Sequence, residues 1–262
     1  MGKIKIFLSD PQVIFREGMH FTLSGEEDFE VTGETVSNDE ALPLIKENPP
    51  DVTVLSFKNG KLDGYKITHY IKRNLPSVSV ILILDKEDED QLLAAMRSGA
   101  SACINKDTDP EDLIDIVRKV AQGGQPLAEV LLTPGLASRV SVEFEASSAL
   151  NEQFGNLLAA LSDTEVKILN GIAAGNTIEQ TTNQLNTDET TIRHHLSMII
   201  NKLVINDQNK AIIDAALKNL PSLFSTASIT GKRGSKYLTR KEFNKFKEDL
   251  RQRYTALISE PI

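Results

Sequence analysis

The hydroxyl of Ser56 occupies a position at which α/β proteins place reactive groups. It follows the apolar run Val52–Leu55, whose β-branched composition is typical of a buried strand, and a charged loop containing Gly60 comes after it. The carboxyl ends of parallel strands carry the functional side chains of such folds. A serine hydroxyl needs a neighbouring base to act as a nucleophile, and the sequence supplies no evident one.

The other reactive side chains form no catalytic or metal-binding pattern. His69, His194 and His195 lie in predicted helical segments without an evident triad, and His20 lies in the first predicted helix. No group of His, Cys, Asp and Glu has the spacing of a metal site. We therefore expect a protein that is not an enzyme and that binds neither a metal nor a cofactor.

Five apolar segments alternate with five segments of helical periodicity in the first 122 residues. Five βα units in succession predict an α/β fold, a doubly wound, five-stranded parallel sheet with helices on both faces. The predicted strands are Ile4–Leu8, Phe29–Thr32, Val52–Leu55, Val78–Leu84 and Ala102–Ile104, and the predicted helices are Val13–Leu23, Asn38–Glu47, Gly64–Arg73, Gln91–Ser98 and Pro110–Ala121.

The chain becomes all-helical from Leu161. The tetrapeptides "SDTE" (162–165) and "TIEQ" (177–180) match capping boxes, and Asp188 is expected to cap a third helix. We expect that helix to end near Leu203 and a fourth to follow. The predicted domains are residues 1–122, a linker at 123–154 with helical pieces, a small all-α domain at 155–220 and a C-terminal helical extension at 221–262.

Three stretches of the first domain, "FLSDPQVIFREG" (7–18), "PDVTVLSFKNGKLDG" (50–64) and "RSGASACINKD" (97–107), resemble the receiver domain of two-component response regulators. The resemblance implies a flavodoxin-like fold. In that family a carboxylate ending the third strand accepts a phosphoryl group, and two acids after the first strand help to hold Mg²⁺. A hydroxyl ending the fourth strand and a lysine after the fifth bind the phosphoryl oxygens.

Carried over by position, this family site is incomplete in the present sequence. The acid pair is Asp10 and Pro11, the phosphoacceptor is Ser56, the hydroxyl position is Leu84, and the lysine is Lys106. A serine cannot form an acyl phosphate, one carboxylate is a poor Mg²⁺ site, and a leucine cannot stabilise oxygen atoms. We expect a receiver without phosphoacceptor that acts independently of phosphorylation. Asp10 and Lys106 either pair across the vacated pocket or line a new ligand site.

The stretch 161–203 resembles the LuxR-type helix-turn-helix of NarL/FixJ response regulators, with matching residues that include Leu161, Glu165, Gly175 and Leu203. The resemblance implies a recognition helix in the major groove of double-stranded DNA. The base-facing family positions are Arg193, His194 and Ser197 here, and an arginine can donate two hydrogen bonds to guanine. Candidates for phosphate contact or local support are Thr177, Thr190, Thr191, His195 and Lys202.

Charge is distributed unevenly along the chain. Residues 1–130 carry 23 acidic and 14 basic residues, whereas residues 231–262 carry 9 basic and 4 acidic residues. We therefore expect any polyanionic partner to bind the C-terminal end of the chain. The alternative is that the extension is only a solvated basic tail. Its last predicted helix could form a dimer seam or dock onto its own domain. Possible accessory DNA contacts are Lys232, Arg233, Lys236, Arg240 and Lys241.

Together these features predict a cytoplasmic, DNA-binding transcriptional regulator, expected as a homodimer. One cysteine, Cys103, excludes an internal disulfide, and no apolar run has the length of a membrane helix. The receiver would be a dimerisation platform, a binding site for another signalling protein or a ligand sensor. The alternative is a degenerate signalling protein that acts through protein–protein interaction with little DNA affinity. The slightly acidic charge of residues 155–220 favours that alternative.

Overall fold

The computed structural model describes residues 2–58, 60–86, 88–154 and 158–224. Its contacts divide the chain into two units. The first contains Met1–Glu143 and Leu161–Val204, and the second contains Phe144–Ala160 and the part of the chain that begins at Ile205. The predicted Lys232, Arg233, Lys236, Arg240 and Lys241, with their extension helix, lie outside the described residues.

A five-stranded parallel sheet forms the centre of the first unit, with the strand order β2-β1-β3-β4-β5. The predicted α/β fold is confirmed, because β-branched and apolar runs supply the strands and amphipathic segments supply the helices. The strands are β1 (Ile4–Ser9), β2 (Phe29–Thr35), β3 (Val52–Ser56), β4 (Ser79–Ile83) and β5 (Ala102–Ile104), and the helices that follow them in order are α1 (Val13–Ser24), α2 (Asn38–Glu47), α3 (Gly64–Asn74), α4 (Glu89–Ser98) and α5 (Pro110–Ala121).

The segment predicted as a linker begins with ordered structure that packs on the sheet domain. A 3-10 helix (Pro126–Leu132) is followed by α6 (Pro134–Phe154). Leu127 and Leu131 are buried, and the Leu127 N–H donates to the carbonyl of Ser101 beside β5. Arg139 of α6 pairs with Asp90 of α4 at 2.5 Å. These contacts fix the 3-10 helix to the carboxyl-terminal half of the receiver fold.

The helix-turn-helix region consists of α7 (Asp163–Ala173), α8 (Ile178–Leu185) and α9 (Glu189–Phe224). Both predicted capping boxes are present, with Ser162 and Thr177 as the caps. Asn186 lies between α8 and α9 with a φ of 50°, a left-handed conformation that asparagine tolerates better than most residues. The caps and this turn determine where each of the three helices begins or ends.

The predicted break after Leu203 is absent, because α9 is a single helix of 36 residues. The sequence predicts a separate fourth helix at Asn209–Leu217. The resembling family usually carries a glycine where Val204 stands, and residues 189–220 contain neither glycine nor proline to interrupt the helix. None of the helices in the described ranges is both long and apolar enough to span a bilayer.

Two asparagine side chains bind the backbone of Leu158 and Ala159 in the second unit. Asn206 of α9 accepts from the Ala159 N–H at 2.6 Å and donates to the Ala159 carbonyl at 2.9 Å. Asn151 of α6 makes the equivalent pair of bonds with Leu158. Each side-chain amide satisfies one backbone donor and one backbone acceptor, as a neighbouring strand would. The backbone of residues 158–159 is thereby held by side-chain amides in place of a neighbouring strand.

A buried ion pair joins α7 to α9 in the first unit. The Glu165 carboxylate lies 2.6 Å from Lys202 Nζ and also accepts from the Ser162 N–H at 2.6 Å. Burial tends to raise the pKa of Glu165, but the bonds from Lys202 and Ser162 outweigh it, so the pKa lies below its usual value. The pair determines how α9 is seated on α7.

We expect Glu165→Gln to lower the free energy of unfolding by about 1–3 kcal/mol at neutral pH, because Lys202 loses a buried partner. A carboxylate with a lowered folded-state pKa stabilises the fold above its unfolded pKa. That stabilisation is lost as the pH falls through the folded value. The difference from wild type should therefore shrink below pH 4.5, the ordinary value. Urea unfolding of both proteins at several pH values between about 3 and 7 measures this difference in unfolding free energy.

The control is Glu30→Gln, which removes a carboxylate from the exposed side of β2. Surface changes of this kind stay within about 0.5 kcal/mol. A Glu165→Gln effect that equals the control, or that does not depend on pH, would contradict the assigned ion pair.

Candidate functional site

The ends of β1, β3 and β5 bring Asp10, Ser56 and Lys106 together at the carboxyl edge of the sheet. The Ser56 hydroxyl donates a short hydrogen bond to Asp10 Oδ2, and Lys106 Nζ lies 3.8 Å from the same oxygen. Asp10 is fully buried, and Ser56 is nearly so. Of the two alternatives for Asp10 and Lys106, the structure contains the pair across the pocket. The sequence offered no evident base for Ser56, but its hydroxyl donates to the Asp10 carboxylate.

Asp10 has further hydrogen bonds that leave its carboxylate well satisfied. Its Oδ1 accepts from the Gln12 N–H at 2.7 Å, and Arg16 Nη1 donates to its backbone carbonyl at 2.8 Å. A buried carboxylate is stable only when it is paired and hydrogen-bonded in this way. The residue pattern did not reveal Arg16 or Gln12 as members of the site, because their partners become known only when the turn after β1 is folded.

A second buried polar chain runs beside the first. Ser9 Oγ donates to Asn38 Oδ1 at 3.0 Å, and Asn38 Nδ2 donates to the Ser56 carbonyl at 2.9 Å. Asn38 is fully buried at the start of α2. Sequence reasoning missed Ser9 and Asn38, since only the neighbouring positions of β1 and β3 bring α2 against both strand ends. This chain fixes the backbone at the end of β3.

The pocket residues do not fit Mg²⁺ or a phosphoryl group. Of the family's two acid positions after β1, only Asp10 holds a carboxylate, and its oxygens already accept bonds from Ser56 and Gln12. Pro11 offers no ligand atom, and Leu84 is a buried apolar group. Mg²⁺ needs several oxygen ligands in octahedral geometry. Within the described residues, no group of three or more His, Cys, Asp and Glu could hold a metal.

The recognition helix predicted at Asp188 begins as expected. The Asp188 carboxylate accepts from the Thr191 N–H at 2.9 Å and from the Thr191 hydroxyl at 3.1 Å. These bonds hold the pKa of Asp188 below its usual value. Thr191 therefore supports the helix start, and Thr177 caps α8. The side chains of Thr190 and His194 are exposed on the first turns of α9.

Arg193 contacts the 3-10 helix that follows the receiver fold. Its Nη1 lies 2.6 Å from Glu129 Oε1, and its Nη2 lies 3.7 Å from Glu189 Oε2. Further along α9, Gln125 Nε2 donates to Asn201 Oδ1 at 3.3 Å. No sequence pattern indicated that Glu129 meets Arg193, because 64 positions and several elements separate them. The arginine expected to contact bases is thus partnered by a carboxylate.

The remaining predicted DNA-contact residues of α9 lie near Arg193. His195 and Ser197 are half-buried, and the His194 and His195 rings are tilted with centroids 6.1 Å apart. Lys202 is engaged by Glu165. The structure thus brings Thr190, His194 and Arg193 to one end of α9, and it gives Lys202 a partner inside the helix-turn-helix.

Comparisons with known proteins agree with this two-part architecture. Residues 6–118 match the family model of the response regulator receiver domain, and residues 159–215 match that of bacterial regulatory proteins of the luxR family. Transcriptional regulatory protein DegU of Brevibacillus brevis is 27% identical over 83% of this chain and 94% of its own length. Response regulator protein VraR of Staphylococcus aureus is 28% identical over 83% of this chain and 98% of its own length.

Two regulators of known structure are also similar to this chain. The receiver domain of the putative response regulator NarL from Mycobacterium tuberculosis has 27% identity and a TM-score of 0.46, covering 47% of this chain and 99% of its own. RcsB from Salmonella enterica serovar Typhimurium bound to promoter rprA has 20% identity and a TM-score of 0.45, covering 78% and 97%. Residues 6–118 of the chain are therefore similar to the response regulator receiver domain, and residues 159–215 are similar to the luxR-family regulatory proteins.

Proposed function

We propose that the protein is a transcriptional regulator that binds double-stranded DNA through α9 and whose receiver acts without phosphorylation. The observation that carries the proposal is the luxR-family match over a capped helix with Arg193 in its first turns. Relatives such as DegU and VraR are named as a transcriptional regulatory protein and a response regulator. Selection from a random DNA library with the full-length chain tests the proposal, since a sequence-specific regulator should enrich one defined DNA sequence.

DNA reading would depend on the amino-terminal turns of α9. Arg193 can donate a bidentate pair of bonds to guanine in the major groove, and His194 and Ser197 lie on adjoining positions. Thr190 and the N-termini of α8 and α9 can donate to phosphates, because the first N–H groups of a helix have no partner within the helix. Lys202 holds α9 on α7 through Glu165 and so supports the geometry of reading.

The receiver would act without covalent modification because its pocket is closed by its own side chains. Ser56 and Lys106 both engage Asp10, so the charge that a family member would share with Mg²⁺ is neutralised inside the protein. A serine also cannot form the acyl phosphate of the family reaction. The fold would then serve as a platform for dimerisation or for another signalling protein.

A homodimer would form through the exposed face of α1. Ile14 and Phe21 are 89% and 84% exposed, although both are large and apolar. Between them, a Cβ added at Gly18 would have no atom within 4 Å, and a groove of about 760 Å³ beside it is lined by Phe15 and Met19. Protruding side chains next to a groove on the same helix suit a two-fold contact with a second copy.

The alternative function is protein–protein interaction with little DNA affinity. It is favoured by the excess of acidic residues at 155–220 and by the engagement of Arg193 with Glu129. The two functions differ in salt dependence. DNA affinity falls steeply with salt because counterions are released, whereas an apolar protein interface does not lose affinity in this way.

We expect Arg193→Ala to lower affinity for the selected DNA by about 1–3 kcal/mol and to relax preference at one base pair. Lys167→Ala is the matched control, because it removes a positive charge from the exposed face of α7. Fluorescence anisotropy titrations at several salt concentrations measure both affinity and salt slope. Equal losses in the two variants would mean that Arg193 acts only through its charge.

Wild-type protein incubated with acetyl phosphate and Mg²⁺ should acquire no phosphoryl group on intact-mass analysis. Ser56→Asp should create a second carboxylate beside Asp10, and a divalent cation should then relieve the repulsion. At Mg²⁺ ten times above its Kd, the variant should gain about 1.4 kcal/mol in unfolding experiments. Ser56→Asn and wild type serve as controls without a Mg²⁺ effect. A labile phosphoryl adduct on wild type would overturn the assignment.

Phe21→Asp should convert a dimer into a monomer, because it places a charge at the centre of the proposed α1 contact. Leu44→Asp is the matched control, since Leu44 is an exposed leucine on α2, away from this face. Analytical ultracentrifugation over a range of concentrations gives the dissociation constant for each. If both variants dissociate like wild type, the α1 face is not the dimer contact.

A further inference from the structure

A groove of about 760 Å³ lies in the first unit, between α1 and the segment that joins β5 to α5. Its volume is within the range of about 300–1,000 Å³ that is typical of small-molecule sites. Met19, Ile104 and Leu113 line it and are buried, so its deepest part is apolar. Phe15 and Thr22 line it from α1, so it extends about 10 Å along that helix. The groove therefore has the size and the apolar surface that an elongated organic molecule needs.

Lys106 supplies the charge in this groove. Among the described residues that line it, Lys106 is the one that carries a charge. Its Nζ lies 3.8 Å from Asp10 Oδ2, beyond the range of about 2.7–3.2 Å for a hydrogen bond, and 5.8 Å from the centre of the Phe15 ring. Within the described ranges the ammonium donates no hydrogen bond, although it has three N–H donors. Lys106 can therefore bind an anion in the groove, while Asp10 keeps its other hydrogen bonds.

The acidic residues that follow Lys106 do not line this groove. Asp107, Asp109 and Asp112 line a second recess, of about 370 Å³, together with Cys103. The lining of the first groove therefore carries a positive charge, although residues 1–130 contain 23 acidic and 14 basic residues. A basic group beside an apolar surface favours a ligand that has an apolar body and a negative charge.

Gly18 leaves one side of the groove without a side chain. It lies within α1, where glycine is unfavourable, and its φ is not positive. A Cβ added at Gly18 would have no atom within 4 Å. Neither the backbone conformation nor packing within the described residues therefore requires a glycine at this position. The space beside Gly18 is open to a molecule from outside the chain.

We propose that this groove binds a free organic acid with one carboxylate and an apolar, chain-like body, such as a medium-chain fatty acid. The carboxylate would bind Lys106 Nζ, and the body would lie on Met19, Ile104 and Leu113. A monocarboxylate fits because one cation lines the groove, and an apolar body fits because its burial stabilises the complex. The site goes beyond the proposed function, since DNA binding takes no part in it.

Isothermal titration calorimetry of the full-length chain with decanoate tests the site. Lys106→Met should bind decanoate about tenfold more weakly than wild type, because the carboxylate loses its cation. Lys119→Met is the matched control, since it removes an exposed lysine near the other end of α5 and should leave the affinity unchanged. Decanol, which lacks the carboxylate, should bind wild type and Lys106→Met with equal affinity. Absence of saturable decanoate binding to wild type, or equal decanoate affinity in Lys106→Met, would overturn the inference.

Gly18→Leu tests the groove without removing the partner of Asp10. Leucine favours the helix, and its side chain should occupy the open space, so decanoate affinity should fall about tenfold while the protein stays folded. Ser24→Leu is the control, because Ser24 is exposed on α1 and does not line the groove. Decanoate affinity in Gly18→Leu equal to that of wild type would contradict the assigned site.

The same titration on Phe21→Asp separates this inference from the proposed homodimer. Phe21 is not among the residues that line the groove, so decanoate should bind this variant at least as tightly as wild type. Loss of decanoate binding in Phe21→Asp would overturn the inference. If Phe21→Asp dissociates the dimer while no protein binds decanoate, the inference fails and the proposed function stands.

Discussion

The carboxylate of Asp10 is the group to which the rest of the receiver fold is adjusted. A fully buried charge is costly unless every lone pair has a partner, and Asp10 obtains partners from Ser56, Gln12 and Lys106. These groups come from the ends of three strands, so the pairing depends on the parallel order of the sheet. The bond from Ser56 is the decisive one, because a second carboxylate at that position would repel Asp10. In this structure the Asp10 carboxylate is therefore bonded to the protein's own groups.

A receiver pocket whose carboxylate is already bonded to neighbouring side chains would influence the helix-turn-helix region differently from a phosphorylated pocket. In a phosphorylated receiver a new charge would appear at the strand ends, whereas in this structure Asp10 is paired with Lys106 and hydrogen-bonded by Ser56. What remains is the surface formed by the 3-10 helix and α6, which is fixed to α4 by two arginine–carboxylate pairs. The 3-10 helix of this surface contacts α9 through the Arg193–Glu129 ion pair and the Gln125–Asn201 hydrogen bond.

The sequence predicted the sheet domain well, because its signals are local. Strand composition and helical periodicity located all five strands and helices within a few residues, and Asn38–Glu47 and Pro110–Ala121 were placed with their observed bounds. The Ser56–Asp10 bond was not predictable, since 46 residues separate the partners and only the β1–β3 pairing brings them together. The error at Val204 had a different origin. Two helices were predicted, the first ending near Leu203 and the second at Asn209–Leu217, although residues 189–220, with no glycine or proline, favour a continuous helix.

The charge of the helix-turn-helix region limits the affinity that contacts to DNA phosphates can contribute. Residues 155–220 contain 7 acidic and 5 basic residues, so phosphate neutralisation can supply less affinity than it does in strongly basic DNA-binding domains. Base contacts must then carry a larger share of the binding free energy, and Arg193 is the strongest candidate among them. Arg193 is ion-paired with Glu129 in this structure. If Arg193 contacts a base as proposed, it must exchange this carboxylate for the base edge, whereas contacts to phosphates elsewhere on the domain require no such exchange.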